Sequence, residues 1–306
     1  MKWMKGIGLF LIANFLIYLT LSFTANLLIN VVLPAFGIDV RGVFNQQLLV
    51  WSLVIGFGGA FISLLFSKQM ARAMLDCEQI TQPRTHAEQV IYGSVQDIAQ
   101  RLGITMPEVW IYASPDPNAF ATGPSKNNSM VAVSTGLLQN LKEEEVRAVL
   151  AHEMGHVYNG DMFTTTVLAG LMNTFVHYIS NLLSAVVGQP SAQDREEGNS
   201  AGNPILAMVV YFFLQIVLSF LAALVVSWHS RRREFAADAF AAKVYGKDSM
   251  IGALRGIDRW VNRAQYEFSN QDALATFKIA GKTSGVMHLF ATHPPIEARI
   301  AALQAL

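Results

Sequence analysis

Four long stretches of this chain carry no charged side chain, and they restrict its possible folds more than any other feature. They are Ile7–Leu33, Leu48–Phe66, Phe163–Val187 and Ile205–Trp228. About 20 consecutive apolar residues cross the hydrocarbon core of a bilayer as a helix, where only helices and closed barrels satisfy every backbone polar group. The first run, 27 residues long, exceeds the roughly 7–15 residues of a signal-peptide core. Despite the basic Lys2 and Lys5 and the faintly cleavage-like Phe23-Thr24-Ala25, it reads as an uncleaved span. The second run carries Gly56, Gly58 and Gly59, which suit close helix approach. The third places Asn173, His177, Asn181 and Ser184 along one stripe, expected to face neighbouring helices rather than lipid. A helix lying partly within the protein would have the same pattern.

Composition agrees. Only 14% of residues are charged, against about a quarter in an ordinary globular chain, and the mean hydropathy is +0.34. This is the profile of a multi-pass membrane protein with a polar portion attached. A net charge of zero gives no global electrostatic attraction for nucleic acid. The single cysteine, Cys77, allows neither an internal disulfide nor a cysteine-based zinc site. Lys2 and Lys5, Lys68 and Arg72, and Arg231–Arg233 flank the spans on one side, while the loops 34–47 and 188–204 hold one arginine each. Cytoplasmic loops carry the excess of Lys and Arg, so both termini and the polar portion are expected in the cytoplasm.

The expected architecture is mainly α: about four transmembrane helices and a cytoplasmic, zincin-like α+β domain with a small sheet. Residues 1–66 form two N-terminal spans, and 67–306 form the polar domain, interrupted by a hydrophobic hairpin (163–187 and 205–228). Thr85–Leu102 has a helical pattern, Glu108–Tyr112 and Met130–Ser134 alternate like strands, and Asn118–Gly123 offers a third strand of undetermined pairing. Glu143-Glu144-Glu145 opens a helix, where acids complement the macrodipole, and Asn159-Gly160 ends or kinks it. Gln189–Asn203 reads as a low-complexity external loop.

That helix carries His152-Glu153-Met154-Gly155-His156. Residues four apart share a helix face, so both imidazoles can reach one Zn²⁺ while Glu153 leans toward its open position. Zinc brings the pKa of water toward 7, and an adjacent carboxylate can take its proton as it attacks a carbonyl. A third protein ligand is required. The metzincin pattern needs Gly at 159 and His at 162, where this chain has Asn159 and Met162. A downstream Glu-x-x-x-Asp remains, and Glu234-Phe235-Ala236-Ala237-Asp238 supplies it. One of these carboxylates would bind metal and the other would accept an N–H from a ligand histidine; pairing of Glu234 with Arg231 is the plainer alternative. His177 reads as a hydrogen-bonded bundle residue. His293, fixed by Pro294 and Pro295, suits either an oxyanion donor or a helix start. Asp161 suits either an acceptor for His156 or a polar cap.

These residues carry a resemblance. In order and spacing, Gly56-Phe57-Gly58-Gly59, Asn118–Gly123, Val131–Gln139, Ala151–His156, Asn159-Gly160-Asp161, Arg233–Asp238 and Thr292-His293-Pro294-Pro295 make the chain similar to HtpX, a bacterial family of membrane-embedded zinc metalloproteases related to the CAAX prenyl-protein proteases. The resemblance implies one zinc per chain on His152, His156 and Glu234, with Glu153 as base and Asn118 and His293 near the substrate. It further implies an inner-membrane, stress-related quality-control protease, facing the cytoplasm, that cuts damaged or misfolded membrane proteins. Quality-control partners are compatible with this but not readable. A narrow-specificity processing protease and a non-enzymatic metal-binding sensor or transporter are the rivals.

Overall fold

The computed structural model describes residues 46–190, 202–269 and 293–306, with a few positions between 23 and 35. The expected first span therefore lies outside the described residues apart from isolated positions, as do residues 191–201 of the expected external loop. In chain order the elements are α1 (Gln46–Leu65), α2 (Ser67–Leu75), β1 (Glu78–Gln79), α3 (His86–Leu102), β2 (Glu108–Tyr112), β3 (Ala119–Ser125), β4 (Asn128–Ser134), α4 (Thr135–Asn140), α5 (Glu143–Asn159), α6 (Asp161–Val187), α7 (Pro204–Tyr245), α8 (Lys247–Ser269) and α9 (Ile296–Gln304). The chain divides into two compact units: residues up to Phe61 with Val167–Ala223, and Ile62–Thr166 with Leu224–Leu306.

The elements described in the first unit are helices. A Cβ on Gly56 would run into the backbone of Thr174, and one on Gly170 into the ring of Phe57, so these glycines set the close approach of α1 and α6. A Cβ on Gly58 or Gly59 would meet no atom of the described residues within 4 Å. Of the stripe on α6, His177 turns inward, with Tyr211 Oη at 3.4 Å and Gln215 Nε2 at 3.3 Å from its Nδ1. Ser184 is buried, whereas Asn173 is exposed.

Among the described residues two helices are long and apolar enough to cross a membrane: α1, over Leu48–Leu65, and α7. Helix α6 is not one of them, because Thr164–Thr166, Asn173, His177 and Asn181 dilute its apolar character. The most apolar window of α7 buries none of its residues, leaving side chains such as Phe213 and Ile216 exposed. A monomeric water-soluble protein rarely presents so continuous an apolar surface.

The second unit is built on a four-stranded sheet in the order β1-β2-β4-β3. β2 and β4 run parallel, and the outer pairs, β1 with β2 and β3 with β4, are antiparallel. Strand β4 is central and buried at every position after Asn128. One face packs Val109, Val131 and Val133 against Ile91, Val95 and Ile98 of α3 and Leu150 and Met154 of α5. The other face carries Tyr112, Met130 and Ala132, with Ala71 of α2 against them. Helix α3 starts in a capping box, Thr85 with Glu88, and ends at Gly103 in the left-handed conformation.

Gly160, at φ +71°, closes α5, and its N–H bonds back to Val157 3.2 Å away. Asn159-Gly160 is therefore a stop followed by a new helix, which begins at Asp161. A Cβ on Gly252 or Gly256 would strike Glu145 or Leu141, so α8 lies close against the start of α5. α9 follows Pro294-Pro295 and turns Arg299 and Leu303 inward.

A candidate metal centre between helices α5 and α7

The periodicity of α5 brings His152 and His156 to one face, with ring centroids 4.8 Å apart and ring planes nearly perpendicular. Gly155, on an adjacent face, lets α7 come close. A Cβ built there would lie 3.2 Å from Phe240 Cδ1 and 3.4 Å from the Cα of Ala237. With a glycine facing an alanine, Glu234, one turn before Asp238 on α7, reaches the imidazoles. Its Oε1 is 3.2 Å from His156 Nε2, and its Oε2 is 3.6 Å from His152 Nε2. His152, His156 and Glu234 thus place a donor atom each within 4.8 Å of one another.

The other ring nitrogens are equally constrained. His152 Nδ1 lies 2.9 Å from Asp238 Oδ1, and His156 Nδ1 lies 2.8 Å from Asp161 Oδ2. Such carboxylates fix the tautomer, with the proton on Nδ1 and the Nε2 lone pair aimed inward. The two Nε2 atoms are 3.2 Å apart, a spacing that a proton on one ring bridges in the metal-free site and that a metal ion can bridge in its place. Nitrogens bound tetrahedrally to zinc at 2.0–2.1 Å sit about 3.3 Å from each other. The donor set and its spacing fit a single small cation.

Electrostatics favour positive charge here. Burial opposes a charge on His156, yet its bonds to Asp161 and Glu234 outweigh that and its pKa is pushed up to about 10. His152 is raised in the same way, against burial, by Asp238 and Glu234. Burial would lift Glu234, but hydrogen bonds from His152, His156 and His293 hold it well below the usual carboxylate range. Glu153 moves the other way: burial raises it, and the neighbouring imidazolium charges offset this only in part.

Glu153, His156 and Glu234 open onto a cleft of ≈ 590 Å³, which Asn118, Phe120 and His293 also line. Asn118 is held at the start of β3, where its backbone exchanges hydrogen bonds with Ser134, 2.9 Å to the backbone N–H and 2.9 Å to the hydroxyl. His293 places Nδ1 2.7 Å from Glu234 Oε2. Of the two roles open to Asp161, the geometry matches the acceptor for His156. Two arginines join the site without being expected there; in the sequence Arg233 reads only as a membrane-flanking charge within a motif of the resemblance. Arg233 bonds Asp161 at 2.6 Å, and buried Arg299 grips Asp238 through two nitrogens at 2.7 and 2.6 Å. The one local signal for Arg299 is a charge on the apolar face that Ile296, Ile300 and Leu303 define on α9.

Two imidazoles, a carboxylate from a second helix and an acid beside them in an open cleft define a metallopeptidase, and comparison with known proteins agrees. The model of the family described as Peptidase family M48 matches residues 86–306. The chain belongs to this family and is a membrane metalloprotease. It is 44% identical to Protease HtpX of Tolumonas auensis, over 99% of this chain and 100% of that one. It is also 42% identical to Protease HtpX of Pectobacterium carotovorum, over 99% and 98%. In fold it resembles the crystal structure of S. mikatae Ste24p, with a TM-score of 0.59 at 17% identity over 95% of this chain and 67% of that one.

Proposed function

We propose that His152, His156 and Glu234 hold one Zn²⁺ per chain and that Glu153 is the general base of an endopeptidase acting on damaged or misfolded membrane proteins. The observation that carries this is the convergence of the two Nε2 atoms, 3.2 Å apart, with Glu234 Oε1 3.2 Å from one of them. Glu234, rather than Asp238, is the carboxylate on the Nε2 side, while Asp238 serves the far nitrogen of His152. Zinc supplies Lewis acidity, polarising a carbonyl oxygen and easing the ionisation of water.

The chain's own residues do the rest. Glu153, its carboxyl raised by burial, takes a proton from the attacking water and returns it to the leaving amine. β3 is an edge strand beside the cleft, so an extended substrate adds to it with its carbonyl beside Glu153, where a metal held by His152, His156 and Glu234 would polarise it. Asn118 orients that strand. His293, with Nδ1 committed to Glu234, donates to the developing oxyanion through Nε2 only in its doubly protonated form.

In this reading residues 1–66 supply two N-terminal spans, and 67–306 form the peptidase domain, interrupted by the hairpin of 163–187 and 205–228. Both termini and the cleft face the cytoplasm from the bacterial inner membrane, as the distribution of Lys and Arg supports. The test is cleavage of casein by the detergent-purified protein, blocked by a chelator and restored by Zn²⁺. Glu153→Gln is expected to keep one zinc per chain and to lose activity by about 10²–10⁴-fold. An active Glu153→Gln rejects its assignment as base. Mapping cleavage sites across several substrates distinguishes a broad cutter from a narrow processing enzyme.

A further inference from the structure

Arg299 lies 65 residues after Glu234 in the sequence and 147 after His152, yet it is 8% exposed and faces both. Its Nε and Nη2 form a fork on Asp238, at 2.7 Å to Oδ2 and 2.6 Å to Oδ1. Its Nη1 lies 3.1 Å from Glu234 Oε2. The same Oε2 faces His293 Nδ1 at 2.7 Å. Glu234 therefore has Oε2 engaged by two cationic or donor groups, while Oε1 is the oxygen closer to the paired Nε2 atoms, 3.2 Å from His156 Nε2 against 3.6 Å from Oε2 to His152 Nε2.

We propose that Arg299 is a positioning residue of the metal centre: by holding Glu234 Oε2 and both oxygens of Asp238, it presents Glu234 to the cation through Oε1 alone and locks the Asp238–His152 pair. The inference rests on the assignment of Glu234 as a ligand. Its physical basis is the planar guanidinium, whose donors stand in a rigid fork that matches a carboxylate and leaves a further nitrogen for a second acceptor. An ammonium at the same place holds charge but not direction. The consequence is a ligand set that keeps a coordination position free for substrate, since a carboxylate engaged through one oxygen occupies one site instead of two. The C-terminal helix α9 thus belongs to the metal centre, although it contributes no ligand.

A plain fold staple between α9 and α7 is the other role for Arg299, and three measurements separate the two. The full-length protein is purified in detergent as wild type, Arg299→Lys and Arg299→Gln, with Glu297→Ala as a control on the same helix. Zinc affinity is measured by competition with a chromophoric chelator, the visible spectrum of the Co²⁺-substituted protein reports coordination number, and kcat and KM are read on one peptide. Positioning predicts a loss of zinc affinity of about 10–100-fold in Arg299→Gln. It also predicts a smaller loss in Arg299→Lys, a Co²⁺ spectrum shifted toward higher coordination, and a fall in kcat with little change in KM. A staple predicts wild-type affinity and spectrum in whatever fraction folds, and that result overturns the proposal. If Arg299→Gln does not fold, Arg299→Lys decides by the same readouts, and wild-type values there overturn it equally. Should wild type itself hold no zinc, or should Glu234→Ala hold it as tightly, the ligand assignment fails instead.

Discussion

His156 and Asp161 form the hinge of the site: the last imidazole of α5 donates from Nδ1 to Oδ2 of the first residue of α6, 2.8 Å away across the Gly160 turn. Asp161 Oδ1 is in turn held by Arg233 at 2.6 Å, one residue before Glu234. A single buried carboxylate thus links the end of the helix that carries both imidazoles to the segment that brings Glu234. Asp161→Ala is expected to weaken zinc binding by about 10–100-fold, because His156 loses the acceptor that fixes its tautomer. Asp161→Asn keeps an acceptor oxygen and should lose less. Chelator competition on the purified variants checks both.

Proton release accompanies metal binding. Against the opposing effect of burial, Asp161 and Glu234 push the His156 pKa up from 6.5 to about 10, which favours a proton at neutral pH on the imidazole that a metal would need bare. A raised pKa in the folded state means that the protonated pair stabilises the metal-free fold fully below pH 6.5. That contribution then fades as pH rises through 10. Zinc affinity has the opposite trend and increases across the same window, by about tenfold per pH unit for each proton displaced. Calorimetric titration at pH 7.5 in buffers of different ionisation enthalpy should show at least one proton released per zinc. A binding heat independent of the buffer would contradict it.

The approach of α5 to α7 is set at one position. A methyl on Gly155 would meet Phe240 Cδ1 at 3.2 Å, a contact that a small ring shift relieves, and alanine gains about 1 kcal/mol of helix propensity over glycine. Gly155→Ala should therefore be close to neutral in stability and metal content. Gly155→Val has nowhere to place its second branch. It should cost about 1–3 kcal/mol by overpacking and move Glu234 away from the imidazoles. Metal analysis of the two variants beside their thermal unfolding tests the pairing, with metal loss expected in the valine variant alone.

The parts of this site that were legible in the sequence are those that obey a local rule. His152 and His156 share a face because helices repeat every 3.6 residues, and the same period joins Glu234 to Asp238. The residues themselves left open which of those two carboxylates would face the metal, because either can when only their spacing is known. The close packing against α5 turns Glu234 to the Nε2 atoms and Asp238 to Nδ1 of His152, which supports Glu234 as the ligand. Arg299 was out of reach, since its partners are 61 and 147 residues away and no periodicity connects them. The sheet behaves alike. Glu108–Tyr112 and Met130–Ser134 announce themselves by alternation, while β1, two residues long, is too short to have a period. The insertion of β4 between β2 and β3 is a long-range choice, driven by burial of Met130–Val133 on both faces. Among the apolar runs, Leu48–Phe66 coincides with helix α1 as far as Leu65 and Ile205–Trp228 falls within α7, both long and apolar enough to span a bilayer. Phe163–Val187 forms a helix too polar for that criterion, since its stripe turns His177 toward Tyr211 and Gln215.

The edge of β3 offers the last test, and its register makes the test selective. The backbone N–H of Ser134 bonds the carbonyl of Asn118 at 2.9 Å, and the pairing then sets Phe120 opposite Ala132 and Thr122 opposite Met130. Antiparallel ladders alternate, so residues 118, 120 and 122 spend their backbone groups on β4, while Ala119 and Ala121 turn theirs to the outer edge. Ala121→Pro deletes one outward N–H and no ladder bond. Proline is tolerated on an edge in this orientation, so stability and zinc content should be almost unchanged. A substrate strand that adds to β3 loses a main-chain hydrogen bond worth about 0.5–1.5 kcal/mol, which appears as a rise in KM for an extended peptide of about 2–10-fold. Phe120→Pro, at a β4-facing position, should instead cost stability. Equal KM values in wild type and Ala121→Pro, with both folded and loaded, would exclude strand addition at this edge and require the substrate to bind elsewhere in the cleft.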